Sequence, residues 1–258
     1  MLKLRLLILF ILIPVIVFAQ NQNWRVFKST HFLVFYRGAS QGLLNQLSQK
    51  AEGYYDEITD DFGFNRFNFW TWDNRAKIYL FDTQEEYRKE NSNLDWSAGV
   101  VTVSNKSIQS YATAPGLKDN VLAHELAHII FREMVGFNNP AVPLWLEEGV
   151  ATFQERRSKN QSVKSYLAGK GTQTHTFMSL NQLNSFDLMH AKDKQSVELF
   201  YLESYSLLNY LIKEFGKDKF VFFCQCLRDY RDLVRALRIT YSFDNLGEFE
   251  SSWKAHIL

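Results

Sequence analysis

Val121-Leu-Ala-His124-Glu125-Leu-Ala-His128-Ile-Ile-Phe131 sets two histidines four residues apart in an apolar, helix-prone run. On a helix that spacing is about one turn, so both imidazoles project from the same face. They can then share one zinc ion, each ring nitrogen about 2.0–2.1 Å from it. Glu125 follows the first histidine and can reach a water held at such an ion. The ion would lower that water's pKa towards about 7, and the carboxylate would take its proton. The H-E-x-x-H pattern therefore reads as the metal-binding and proton-transfer half of a metal hydrolase. The alternative for these five residues alone is a pair of hydrogen-bonded structural histidines in a buried helix.

A catalytic zinc site usually has three protein ligands and one open position. Downstream, Pro140 and Pro143 bracket a short connection, and Pro143 stands where a helix tolerates proline, at its start. The run Leu144-Trp-Leu-Glu147-Glu148-Gly-Val-Ala-Thr-Phe153 follows. Helices joined by a short loop pack against each other, so a carboxylate of the second can meet histidines of the first. Acidic residues inside an apolar helix need a partner if they are buried, and a metal is one. Solvent-facing glutamates are the other reading. Periodicity cannot choose between Glu147 and Glu148, which differ by about 100° around the helix.

His124-Glu-Leu-Ala-His128 followed by Pro143-Leu-Trp-Leu-Glu-Glu-Gly-Val-Ala-Thr152 resembles the gluzincin metallopeptidases. It looks most like the peptidase MA-like group and the core of the aminopeptidase N family, whose pattern is H-E-x-x-H, a spacer, then W-L-x-E-G-x-A. The resemblance implies that the glutamate before the glycine, Glu148, is the third ligand beside His124 and His128, with zinc as cofactor and Glu125 as general base. Nineteen residues separate His128 from Glu148. That is one more than the commonest spacing of the family, which would select Glu147. Tyr201-Leu-Glu-Ser-Tyr-Ser-Leu-Leu-Asn-Tyr-Leu-Ile-Lys-Glu-Phe-Gly216-Lys-Asp-Lys-Phe220 is similar to the family's Y-x-K-G-A…L…G-x-x-x-F segment. It implies Tyr201 as the donor to the oxyanion, with Tyr205, one turn on, as the alternative. Ser204 stands where the aminopeptidases have glycine. Leu246-x-x-Phe-x-x-x-Trp253 looks like the group's C-terminal helix. The G-x-M-E-N loop that binds a free amine in the aminopeptidases is not found. Gly99-Val-Val-Thr-Val103 is the nearest positional equivalent and lacks the acid. An endopeptidase acting on a protein or peptide is therefore expected rather than an aminopeptidase. Two other readings remain: a zinc hydrolase of a non-peptide amide or ester, and an exported binding protein with a structural or inactive zinc site.

Upstream of the motif, Trp24–Tyr36 alternates and is rich in β-branched and aromatic residues, which predicts one or two strands broken near Ser29-Thr30. Gln41–Phe62 carries Leu43, Leu44, Leu47, Ala51, Tyr54, Tyr55 and Ile58 at helical spacing. Gly63–Arg75 reads as an aromatic packed loop, or else as an exposed aromatic patch. Ala76–Phe81, Gly99–Val103 and Ile108–Tyr111 read as further strands, with a short helix through Tyr87. From Leu117 onward the pattern is helical, with a loop or weak helix at Lys159–Gly171. Helices are expected at Ser196–Phe215, Asp218–Tyr230, Arg231–Ile239 and Asp244–His256. The expected fold is α+β and zincin-like. A mixed αβ lobe with a small sheet (about residues 20–116) precedes a helical lobe (about residues 117–258), with the active-site cleft between them.

Met1–Ala19 has a positive start at Lys3 and Arg5, an apolar run from Leu6 to Phe18, and Val17-Phe-Ala19 at a cleavage-type end. It reads as a signal peptide, which implies export to the periplasm or the exterior and no stable membrane span afterwards. An uncleaved anchor is the alternative. The net charge of +1 on the 258-residue chain gives no electrostatic case for nucleic acid. Its 46% hydrophobic content suffices for a sizeable core. Cys224 and Cys226 are two apart on an expected helix, so their side chains diverge and no bridge is expected.

Overall fold

The computed structural model describes residues 24–90, 100–102, 106–114, 121–156, 177–188, 190–191 and 193–257. The expectations for Met1–Ala19 and Lys159–Gly171, and for the ends of Gly99–Val103, fall outside the described residues.

A five-stranded mixed sheet begins with β1 (Arg25–Lys28) and β2 (Phe32–Tyr36), an antiparallel pair broken at residues 29–31 as the sequence suggests. Helix α1 (Gln41–Asp61) then crosses over to β3 (Ala76–Phe81), which lies parallel to β2. A crossover of this kind is what a parallel pair requires. Strand β5 (Ser107–Tyr111) is parallel to β3, and β4 (Val100–Thr102) is antiparallel to β5 at the edge. The strand order is β1-β2-β3-β5-β4. Alternation sets the faces: Phe32, Val34, Ala76, Ile78 and Leu80 are buried, and the residues between them in both strands are only half-buried. Helix α1 lays Leu44, Leu47, Ala51, Tyr55 and Ile58 into the same core, and Ser40 caps it by accepting from Leu43 N at 3.2 Å.

After β3 comes the short helix α2 (Gln84–Glu90). The helical half contains α3 (Val121–Val135), α4 (Leu144–Arg156), α5 (Leu180–Asn184), α6 (Lys194–Phe215), α7 (Lys217–Tyr230), α8 (Leu233–Tyr241) and α9 (Leu246–Ile257). Helix α3 ends at Gly136, whose φ of +97° suits a residue without a Cβ. The two halves do not have separate cores. Phe32 and Ile78 of the sheet belong to one buried cluster with Leu126 and Ile130 of α3, Trp145 of α4, Leu207 of α6 and Trp253 of α9. Cys224 and Cys226 are free and buried in it, as expected. Among the described residues no helix is long and apolar enough to cross a membrane.

Two features differ from the sequence reading. Helix α5 has no counterpart in it: five residues are too few for periodicity to show, although Ser179 and Gln182 form a capping box that marks its start. The aromatic loop is packed only in part. Phe64 and Trp70 are fully buried, whereas Trp72 is 81% exposed. Asn68, Trp70 and Trp72 all take positive φ (46°, 60° and 54°), so the backbone of this loop is irregular. Trp70 donates its indole N–H to Glu133 of α3 at 3.0 Å, and Lys106 approaches the same carboxylate at 2.6 Å.

Helices α4 and α6 approach each other closely at Gly149. A Cβ on Gly149 would stand 2.6 Å from the backbone oxygen of Ser204 and 3.4 Å from Leu208 Cβ. Glycine at 149 is what lets the two backbones meet. Gly149→Ala should force them apart and cost about 1–3 kcal/mol. In thermal unfolding without metal this is a fall of several degrees, at roughly 2–4 °C per kcal/mol. An unchanged melting temperature would mean that α6 yields freely.

Candidate metal centre

Helix α3 projects His124 and His128 from one face because they are one turn apart, with Ala123, Leu126, Ala127, Ile129 and Ile130 buried around them. Their Nε2 atoms lie 3.2 Å apart. Helix α4 brings Glu148 over this pair, with Oε2 at 3.8 Å from each Nε2. A tetrahedral zinc with bonds of about 2.0–2.1 Å spaces its ligand atoms roughly 3.3–3.4 Å apart, so the triangle is close to one that an ion would close. Among the described residues this is the one group of three His, Cys, Asp or Glu side chains found with metal-binding spacing.

An unpaired polar atom points the same way. Glu148 Oε2 is buried with no hydrogen-bond partner. Leaving a buried acceptor unmet costs about 1–3 kcal/mol and more for a charged one. A cation facing Oε2 and both Nε2 atoms would remove that cost, so the donor set fits zinc.

Glu147, the rival by spacing, points elsewhere. Arg132 grips its carboxylate with both arms of the guanidinium: Nε reaches Oε1 at 2.8 Å and Nη2 bonds Oε2. Arg132 Nη1 also donates to Asn139 O at 3.2 Å, which fastens the α3–α4 connection. Behind the imidazoles, Glu155 Oε2 lies 3.6 Å from His124 Nδ1 and Glu147 Oε1 lies 3.9 Å from His128 Nδ1. Arg132 and Glu155 are not singled out by the sequence reading. Helical spacing points to both, since Arg132 is one turn past His128 and Glu155 two turns past Glu148.

The electrostatics follow from burial. Desolvation pushes the Glu148 carboxyl up to about 7, with Glu147 and Glu125 adding to it and His124 opposing. Burial also raises Glu125, against the pull of His124. His128 is lowered to about 3 by burial, helped by His124 and Arg132. Burial works against a charge on His124 too, but Glu155, Glu125 and Glu148 outweigh it and raise its pKa. Tyr201 on α6 is pushed up to about 12 by burial and then by Glu148, Glu155 and Glu125. Tyr205, the alternative, packs its ring against Phe153 at 5.8 Å.

The chain belongs to the Peptidase MA superfamily, whose family model matches residues 73–258. Among solved structures it is similar to an M1 zinc metallopeptidase from Deinococcus radiodurans, at 15% identity and a TM-score of 0.45, covering 91% of this chain and 51% of that one. It is also similar to yeast LTA4 hydrolase in complex with bestatin, at 14% identity and a TM-score of 0.43, covering 90% of this chain and 36% of that one. The chain thus spans about half or less of the length of these two structures. A search of the curated proteins found no match.

The shifts set a pH dependence for the metal-free protein. Glu148 is raised from 4.5 to about 7, so its contribution is fully present below 4.5 and is lost as pH rises through about 7. His124, raised from 6.5, acts with the same sign. His128 acts oppositely, but only as pH falls below 6.5. From about pH 6.5 to about pH 8 the melting temperature in chelator should therefore fall, Glu148 accounting for about 1 kcal/mol or roughly 2–4 °C. Glu148→Gln should remove that share. Equal slopes in variant and wild type would contradict a buried, unpaired Glu148.

Proposed function

We propose that this chain is an exported zinc metallopeptidase in which His124, His128 and Glu148 hold the metal, Glu125 is the general base and Tyr201 is the oxyanion donor. The observation that carries it is the triangle of two Nε2 atoms and an unpartnered Glu148 Oε2, with Glu125 on the same helix beside His124. When bound, zinc supplies a Lewis acid that acidifies a water and polarises the scissile carbonyl. Glu125 takes the proton of the attacking water and passes it to the leaving amine. A carboxyl raised above its ordinary range is suited to both halves of that exchange, because it holds the proton longer than a free carboxylate does. Tyr201 keeps its proton across the working pH range and so remains a donor to the oxygen that becomes negative.

Three converging donors, with no fourth among the described residues, suit a catalytic site with an open position better than a closed structural one. Strand β4 lies at the sheet edge, where an extended peptide can add by main-chain pairing. No amine-binding acid of the aminopeptidase kind is found in the sequence. The preferred reading is therefore cleavage within a peptide or protein. Export rests on Met1–Ala19.

Glu125→Gln should retain one zinc per chain and lose about 10²- to 10⁴-fold in hydrolysis of a casein or peptide-library substrate. The wild-type digest should stop with a chelator. Undiminished hydrolysis by the variant would sink the mechanism, and a wild type that takes up no zinc would sink the whole reading.

A further inference from the structure

Helices α7 and α8 pack side by side, and the seam between them carries exposed apolar side chains on its solvent side. Among the described residues five large apolar side chains are exposed, and three of these belong to α7 and α8: Phe222 at 47%, Tyr230 at 44% and Ile239 at 42%. The helices meet where Cys226 faces Thr240. Phe222 and Tyr230 stand about one turn before and one turn after Cys226, and Ile239 directly precedes Thr240, so all three border the seam. Arg235, one turn before Ile239, lies over the Tyr230 ring with its guanidinium carbon 3.9 Å from the centroid. Lys219, three positions before Phe222, and Arg238, beside Ile239, are exposed. Residues 217–242 hold six lysines and arginines against three aspartates, a surplus of three on a chain whose net charge is +1. The aspartates are engaged close by: Asp229 pairs with Arg228 at 2.8 Å, Asp232 caps α8 by accepting from Arg235 N at 2.9 Å, and Asp218 lies 3.9 Å from Arg66. Arg228 and Arg238 sit in last turns, where the helix dipole favours a cation. Lys219 and Arg235 sit in first turns, where it opposes one, so helix stability does not account for them.

We propose that the solvent side of the α7–α8 seam is a docking surface for an anionic lipid bilayer. Phe222 and Ile239 enter the boundary of the acyl chains, and Tyr230 stays at the level of the headgroups. Lys219, Arg235 and Arg238 meet the negative headgroups, the arginines reaching past their own apolar stems. Charge selects this occupant: a second copy on the same two-fold face would bring arginines against arginines, whereas an anionic surface answers all three cations. Spacing selects it too. Phe222 and Tyr230 are eight residues apart on α7, about 12 Å, so a broad flat partner engages both at once and a single side chain of a partner does not. The contact is peripheral, and it is independent of the zinc reading, because none of these residues belongs to the metal centre.

The test is co-sedimentation of the exported chain, freed of Met1–Ala19, with vesicles of phosphatidylcholine and with vesicles of phosphatidylcholine mixed with phosphatidylserine. The chain should bind the mixed vesicles, and binding should weaken as salt is added. Phe222→Ser should weaken it about tenfold by removing the inserted ring. Arg235→Gln and Arg238→Gln should each weaken it about fivefold. All three side chains are exposed, so the variants should keep the wild-type melting temperature. Absence of binding to the mixed vesicles, or binding that the three substitutions leave unchanged, would overturn the proposal. So would a wild-type dimer in sedimentation velocity that Phe222→Ser dissociates, since that would give the face to a second copy. Neither result bears on zinc, which is read separately by metal content.

Discussion

The structure turns on one constraint: two imidazole nitrogens and one carboxylate oxygen, carried on two helices, come within 3.8 Å of one another. The histidines cost nothing to align, since one turn of α3 does it. The carboxylate depends on how α4 is seated. A slip of one residue would swing Glu148 away by about 100° and bring another side chain over the histidines. Several contacts oppose such a slip. Trp145 is buried and donates to Asn184 at 2.8 Å. Gly149 meets the backbone of α6. The Arg132–Glu147 pair ties α4 to α3 just before Glu148. Asn139 closes the connection by donating to Val135 O at 3.0 Å and Leu227 O at 2.9 Å while accepting from Ala141 N.

This seating explains why so much unfavourable charge is tolerated. Glu125, Glu147, Glu148 and Glu155 crowd two imidazoles in a half-buried site. Arg132 answers Glu147, and the desolvation of Glu148 is offset only in part, by His124. A protein optimised for the metal-free state would have an apolar residue at 148. The strain is local, and the surrounding core is large: one cluster running from β2 to α9 holds the site in place. Burial of that cluster far exceeds the local cost, which is how folds sustain functional sites that are unstable on their own.

The parts legible in the sequence are those fixed by local spacing. The two histidines, the alternation of β2 and β3, and the periodicity of α1 and α6 all depend on neighbours within a turn or two. Less legible are the choices that a distant partner makes. Spacing favours Glu147 and the motif favours Glu148, and neither carries the fact that separates them. In the fold Arg132, fifteen positions before Glu147, draws that side chain behind His128. The two expected lobes share one core, which apolar runs in strands and helices do not reveal. Helix α5 is too short for a periodic signal, yet its Asn184 accepts from the tryptophan of the W-L-E-E-G run.

The aromatic loop extends the same point to the other side of the site. Composition does not distinguish the rings of Phe64–Trp72, yet the chain sends Trp70 inward and leaves Trp72 outside. Trp70 and Lys106 both reach Glu133, and Lys106 donates as well to Asn74 at 2.7 Å. Glu133 lies five residues past His128 on α3. The sheet-bearing half therefore fixes the rotation of the histidine helix from outside, while α4 and α6 fix the carboxylate from the other side. Neither set of contacts involves the side chains of His124, His128 or Glu148. Without both, the spacing of the histidines would place two imidazoles on one face of a helix and leave no carboxylate opposite them.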